Sequence, residues 1–214
     1  MGNILRYAFR AVVVWPVVSI VLGLNVRHRE RLPTRGPAIL AANHNSHLDT
    51  LVLMSLLPWQ LTPKVRPVAA AEYFLSNPVL SWCSRHLVGI LPLRRGERSR
   101  PIEERLAPMM AALEQGDILI IFPEGSRGEP ERLSELKSGV AYFAHHAPHV
   151  PIIPIVLHGL GKALPKGEAV LVPFFCDVLV GEPVPPLLDR EAFMASLKAR
   201  MLALVEEGAF PAWT

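Results

Sequence analysis

The sequence predicts an α/β domain built on a mixed, largely parallel β-sheet flanked by helices, with a short N-terminal hydrophobic helix that associates with a membrane. Three observations carry this. Short apolar runs at 37–42, 65–70, 117–122 and 150–157, bounded by prolines, glycines and polar turns, have the length and composition of buried strands. Segments with apolar residues at helical spacing lie between them, and alternating strands and helices imply a sheet covered on both faces. Of the 214 residues 50% are hydrophobic and mean hydropathy is +0.29, enough for a substantial core and high for a freely soluble chain.

The N-terminus carries the apolar run Ala11–Leu24, flanked by Arg6 and Arg10 before it and Arg27, Arg29 and Arg31 after it. As a helix, that run extends about 21 Å against a hydrocarbon core of roughly 30 Å. It is too short to span comfortably, and Pro16 should kink it. Positive charge at both ends suits a segment that dips into an anionic leaflet while its arginines reach the headgroups. A signal peptide and a first core helix are the competing readings, although no small-x-small cleavage site follows. A myristoylation signal is excluded, because Arg6 occupies its Ser/Thr position.

Gly36-Pro37 opens the first core strand, 37–42. A helix at 47–57 ends before Pro58, and Val65–Ala70 is a second strand. One or two short helices fill 73–86, broken at Asn77-Pro78, and 87–93 is strand-like. Ser99-Arg100-Pro101 starts a helix as an N-cap followed by proline in the first turn. Ile102, Leu106, Met109, Met110 and Leu113 keep helical spacing, and Gly116 closes it. Strand 117–122 follows, then a helix over 135–146 and strand 150–157. Two more strands are expected at 169–174 and 177–180. Asp189 caps a final amphipathic helix, with Phe193, Leu197, Met201 and Leu204 on one stripe.

Charge and cysteine usage narrow the partners. Net charge is +3 and the pI about 9.1, which suits an anionic membrane surface or phosphorylated substrates. No Lys/Arg run with interleaved aromatics suggests a nucleic-acid partner. Cys83 and Cys176 are isolated, have no zinc spacing, and read as reduced core residues. His145-His146 has no matching ligand cluster, so its helix C-terminal position, favourable to positive charge, is the better explanation.

Two polar stretches follow buried strands. Asn43-His44-Asn45-Ser46-His47-Leu48-Asp49 brings two imidazoles and a carboxylate together at a strand-to-helix turn. A carboxylate beside an imidazole fixes its tautomer and stabilises its cation, the layout of a general base and its orienter. Ser46-x-x-Asp49 is equally a capping box, with Ser46 at the N-cap. The second stretch, Phe122-Pro123-Glu124-Gly125-Ser126-Arg127, follows Ile118–Ile121. Two such loops at strand ends suggest one shared site.

These stretches resemble the first and third motifs of the glycerolipid acyltransferases, the lysophosphatidic acid acyltransferase family. Gly89-Ile90-Leu91-Pro92-Leu93-Arg94-Arg95 resembles the second motif and Val150-Pro151-Ile152-Ile153-Pro154-Ile155 the fourth, in the family's order. The resemblance implies a membrane-associating segment at 1–31 and a catalytic domain at 32–214, with the site at one sheet edge. It implies O-acyl transfer from a thioester donor, acyl-CoA or acyl carrier protein, to a lysophospholipid hydroxyl, foremost that of 1-acylglycerol-3-phosphate, on the cytoplasmic face of the inner membrane. His44 is then the base and Asp49 its orienter. Backbone N–H groups near the first motif are candidates to hold the developing oxyanion. Arg127 binds the acceptor phosphate, with Arg95 of the Arg94-Arg95 pair the choice for a second contact. Gly125 lets the backbone approach, Ser126 belongs to the same substrate loop, and Glu124 binds the glycerol hydroxyl or holds Arg127. A surface ion pair is the plain alternative for Glu124 and Arg127. No cofactor or metal is implied. Another acceptor (a lyso-aminolipid or glycerol 3-phosphate), a lipid ester hydrolase and a non-catalytic lipid-binding protein stay open.

Overall fold

The computed structural model describes residues 2–74, 77–94, 100–128, 132–164, 172–187 and 189–210. Its frame is a seven-stranded sheet in the order β1-β7-β6-β2-β5-β3-β4. The strands are β1 (Leu22–Arg27), β2 (Ala38–Ala42), β3 (Val65–Ala70), β4 (Leu91–Leu93), β5 (Ile118–Ile121), β6 (Ile152–His158) and β7 (Phe174–Val180). All neighbours pair in parallel except β6 and β7, which are antiparallel. The mixed, largely parallel sheet of the sequence reading is therefore what the chain forms.

Helices cover both faces, as the continuous burial of the central strands requires. In β2, Ala38, Leu40 and Ala42 point to one face and Ile39 and Ala41 to the other, the alternation of a pleated strand. The first face is covered by α1 (Gly2–Val21) and α2 (Leu48–Leu56). Past β3, the short helices α3 (Ala71–Phe74) and α4 (Pro78–Cys83) precede β4, and the Asn77 side chain caps α4. The opposite face is covered by α5 (Ile102–Glu114), α6 (Gly139–His146) and, after the single turn α7 (Leu160–Ala163), by α8 (Arg190–Gly208). Asp189 caps α8 by accepting the Ala192 N–H at 2.7 Å, and Phe193, Leu197, Met201 and Leu204 form its buried stripe.

Several expectations need correction. Leu22–Arg27, placed on sequence within the N-terminal segment, is an edge strand paired with β7, so the sheet begins ten residues before the expected boundary. Residues 84–88 continue as a wide helical turn ended by Gly89 at φ 81°, which leaves β4 only three residues. The helix at α6 starts at Gly139, because 132–137 is irregular and Ser138 forms a turn. The strand expected at 177–180 begins earlier, at Phe174; residues 169–171 of the other expected strand, and Ser99, lie outside the described residues.

The N-terminal helix departs most from expectation. It runs unbroken for 20 residues, Pro16 included, with π-helical turns at Arg10–Val14 and Val17–Val21. By length and composition it could cross a membrane. Arg6 and Arg10, expected among headgroups, are instead buried in the domain. Arg6 donates to the carbonyls of Pro63 at 2.6 Å and Val88 at 3.0 Å. Arg10 donates to those of Pro58 at 3.2 Å and Ser55 at 3.1 Å and to Thr62 Oγ1 at 2.7 Å, and its guanidinium lies over the Trp59 ring. With Val14 and Val18 they form a stripe every four residues, and the wider π turns keep that stripe on one side. Burial lowers the Arg6 pKa to about 10, helped by the neighbouring Arg66 and opposed by Asp117.

Candidate active site

The carboxyl ends of the parallel strands β2, β5 and β3 lie side by side, the position where open α/β sheets bind ligands. The site therefore sits in the middle of the sheet's carboxyl end and not on a lateral edge strand.

His44 follows β2 by two residues. Its Nδ1 is 2.9 Å from Asp49 Oδ2. Its ring stacks on Phe122, centroids 4.1 Å apart and planes 18° apart. With Nδ1–H given to Asp49, Nε2 is the nitrogen left to take a proton. Asp49 is 0% exposed in the first turn of α2. Its Oδ2 also accepts the N–H of Asn45 at 2.6 Å and of Ser46 at 2.9 Å. Burial pushes the Asp49 pKa up, opposed by the hydrogen bonds from His44, Ser46 and Asn45.

The capping and catalytic readings of this heptad coexist in part. Half of the expected capping box forms: Asp49 reaches back to the Ser46 N–H, but the helix N-cap is His47, the Asp49 N–H bonds the Ser46 carbonyl, and the Ser46 hydroxyl accepts the Leu48 N–H at 3.3 Å. The same oxygen of Asp49 orients His44. Asn43 holds the turn against β6: its amide donates to the Leu157 carbonyl at 2.9 Å and accepts the Leu157 N–H at 2.7 Å. Asn45 donates to the same carbonyl at 2.8 Å.

Glu124 is part of the turn itself. It is 4% exposed, and Oε1 accepts the His44 N–H at 3.2 Å. It is neither a surface ion pair nor a clamp on Arg127; among the described residues no ion pair joins the two. Burial raises its pKa. Three successive amides, His44, Asn45 and Ser46, are thus all held by carboxylates. These three first-motif amides are therefore not available as oxyanion donors.

A cleft of about 420 Å³ opens beside His44. Gly125, Ser126 and Arg127 line one side, and Val68, Val88 and Ile90 the other. Gly125 has φ 75°, which only glycine adopts without strain. His47 also lines it; burial, Arg127 and His44 lower its pKa, so it is neutral at pH 7. Arg94 is exposed at the end of β4, and Arg95 lies outside the described residues. Among the described residues no group of three or more His, Cys, Asp or Glu could hold a metal ion. The spacing of the motifs brought His44, Asp49, Glu124, Gly125, Ser126 and Arg127 to notice. It could not show Phe122 as the stacking partner, nor Asn43 and Asn45 as tethers, because each acts through a distant strand.

The sequence profile of the Acyltransferase family matches residues 23–158, which cover all of these groups. This chain belongs to the Acyltransferase family. Its relatives include the chloroplast 1-acyl-sn-glycerol-3-phosphate acyltransferase LPAT1 of Arabidopsis thaliana, 29% identical over 174 residues that cover 79% of this chain and 46% of that protein. A lyso-ornithine lipid O-acyltransferase of Rhizobium meliloti is 30% identical over 127 residues, 58% of this chain and 39% of that protein. The chain thus spans less than half the length of these two relatives. Among solved structures, the 1-acyl-sn-glycerophosphate (LPA) acyltransferase PlsC from Thermotoga maritima superposes with a TM-score of 0.72 at 22% identity, over 99% of this chain and 81% of that one. The acyltransferase fold is therefore shared across the whole chain.

Proposed function

We propose that the protein transfers a fatty acyl group from a thioester donor, acyl-CoA or acyl carrier protein, to the hydroxyl of a lysophospholipid, foremost 1-acylglycerol-3-phosphate, yielding phosphatidic acid. The observation that carries this is the contact of His44 Nδ1 with Asp49 Oδ2 beside a cleft lined by Arg127. His44 Nε2 takes the acceptor's hydroxyl proton as the oxygen attacks the thioester carbonyl, a contribution of ~10²–10⁴ in rate. The tetrahedral intermediate collapses, the C–S bond breaks, and the departing thiolate receives that proton from the imidazolium. No covalent acyl-enzyme is needed. With the amides of 44–46 engaged, Ser126 and Arg127 are donors on the cleft wall that can face the oxyanion. Arg127 also suits a phosphate, which a guanidinium matches bidentately.

The reaction takes place at a membrane. On α1, Ile4, Val12 and Ile20 are 71%, 74% and 74% exposed, and Trp15, Trp59, Val79 and Trp82 are exposed as well. A helix docked along one side and apolar along the other lies in the interface, with its aromatic residues at headgroup level. The cytoplasmic face of the inner membrane, where thioester donors reside, is the proposed location.

The Rhizobium relative supports a second reading, with a lyso-ornithine or other lyso-aminolipid as acceptor. One experiment tests both: incubation with labelled palmitoyl-CoA and a panel of lyso-lipids, read by mass spectrometry. Labelled phosphatidic acid favours the first reading and acylated aminolipid the second. Release of free fatty acid with no acylated lipid would identify a hydrolase, and no turnover of any kind a lipid-binding protein.

A further inference from the structure

A second cleft, about 460 Å³, lies behind the first. Leu106, Met109, Val140 and Phe143 wall it, all on the sheet face opposite α1. Arg105, Lys137 and Arg190 also line it, and none of the three forms an ion pair among the described residues. Arg105 Nε is buried without a hydrogen-bond partner, and Arg190 donates to a neutral group, the Ser138 hydroxyl. Three cations that form no ion pair among the described residues, beside an apolar wall, fit a ligand with an anionic group and an apolar portion.

The two clefts meet. Val68, Ala69, Ala70, Phe122 and Gly125 line both, at the carboxyl ends of β3 and β5. A Cβ on Gly125 would fall 2.7 Å from Lys137 Nζ, so the bare glycine lets the Lys137 side chain lie against the loop where the two clefts meet. The first cleft shares its sheet face with α1, whose outward side is exposed and apolar. The second opens on the face away from α1.

We propose that the second cleft receives the phosphopantetheine arm of the acyl donor, with its phosphate on Arg105, Lys137 and Arg190, so that donor and acceptor reach His44 from opposite faces of the sheet. The proposal rests on the acyl-transfer reading above. The arm is common to CoA and acyl carrier protein: a phosphate at one end, a thiol at the other, and between them a gem-dimethyl group, a hydroxyl, two amides and short methylene links that lead to the apolar acyl chain. The thiol end carries the acyl group over Gly125 to His44, where the C–S bond breaks as the acceptor's C–O bond forms and His44 returns the proton to sulfur.

The test measures initial rates of the full chain on phosphatidylcholine vesicles containing 1-oleoylglycerol-3-phosphate, with palmitoyl-CoA, palmitoyl-acyl carrier protein or S-palmitoyl-pantetheine as donor. The double variant Arg105→Ala/Lys137→Ala should raise KM for the first two by about tenfold or more, as expected for lost charge-assisted contacts. KM for the acceptor and for the phosphate-free pantetheine donor should stay unchanged. Arg105→Lys/Lys137→Arg, which keeps both charges, should restore most of the loss, separating ligand binding from folding. A raised acceptor KM, unchanged KM values throughout, or an equal loss with the phosphate-free donor would overturn the proposal. A loss with acyl-CoA alone would move the cations to the nucleotide phosphates and overturn the arm's assignment too. Titration calorimetry with CoA needs no turnover and separates the two readings. CoA binding that depends on the cations, without transfer, sinks acyl transfer alone, whereas transfer with a cation-independent donor KM sinks the cleft assignment alone.

Discussion

Asp49 spends one oxygen on three partners, and that makes its chemistry separable from its shape. Asp49→Asn keeps an oxygen for the Asn45 and Ser46 amides but no longer stabilises an imidazolium at His44. We expect kcat to fall by about 10²–10⁴, the usual worth of a positioned proton transfer, with the melting temperature much less affected. His44→Ala should abolish transfer in a folded protein, since His44 lies in a loop, while His47→Ala should be far milder. Near-normal turnover by a folded His44→Ala variant would remove His44 from the mechanism. Glu124 gives a pH signature. Its folded-state pKa lies above the ordinary 4.5 because of burial. Below pH 4.5 the group is protonated folded or unfolded and its charge has no effect. As pH rises through the folded-state value, the native state must carry a buried charge, so stability falls. Glu124→Gln retains an acceptor for the His44 N–H without that charge. Its melting temperature should exceed the wild type's at pH 8, and the gap should close toward pH 4.5. A gap independent of pH would show that ionisation is not the cause. Arg127→Ala should lower kcat/KM by about 10–100-fold on a phosphate-bearing acceptor and little on one without phosphate. Equal losses on both would make Arg127 structural.

Among the elements, α1 is the one whose role the structure changed. Arg10 serves the carbonyls of Ser55, Leu57 and Pro58, and Arg6 those of Pro63, Val65 and Val88. Removing either guanidinium leaves several buried acceptors unsatisfied. The loss for Arg10→Met should therefore be well above the ~1 kcal/mol typical of a point substitution. Chemical denaturation measures it, and hydrogen exchange in α1 should rise; an unchanged midpoint would mean that apolar contacts alone dock the helix. No sequence pattern could show this, because flanking arginines look the same whether their partners are headgroups or carbonyls fifty residues away. The central strands were legible for the opposite reason. In β2, β5 and β6 both faces are buried or nearly so, and the runs are closed by turn-forming residues. The edge strand β1 was not, since Leu22-Gly23-Leu24-Asn25 continues an apolar helix with no punctuation. Nor was the late start of α6: Leu136 keeps helical spacing yet packs from an irregular segment. At the site, His44 and Asp49 were readable because their bond spans five residues. The role of Glu124 was hidden because its partner is a backbone amide 80 positions away.

For the whole molecule, the question is whether the membrane helix can be detached. The sequence suggests a separable segment ending at residue 31. The structure makes α1 one wall of the domain: Val14 and Val18 belong to the same core as Leu40, Val52 and Leu53, and β1 extends the sheet. Each fully buried valine contributes about 1.5–3 kcal/mol, and the two arginine networks add to this, against a typical domain stability of about 5–15 kcal/mol. Deleting residues 2–21 should therefore give a protein that aggregates or melts without a cooperative transition, not a soluble enzyme. In the function proposed above, membrane contact falls to the outward side of the same helix, which is apolar and exposed. Replacing Ile4, Val12, Trp15 and Ile20 with serine or glutamine removes exposed apolar surface and touches none of the buried stripe. That variant should keep its melting temperature and fail to float with anionic vesicles. It should lose activity on long-chain acceptors in vesicles while retaining it on a short-chain soluble acceptor. A deletion variant that stays monomeric, melts cooperatively and acylates the short acceptor would show that α1 is an anchor attached to a self-sufficient domain.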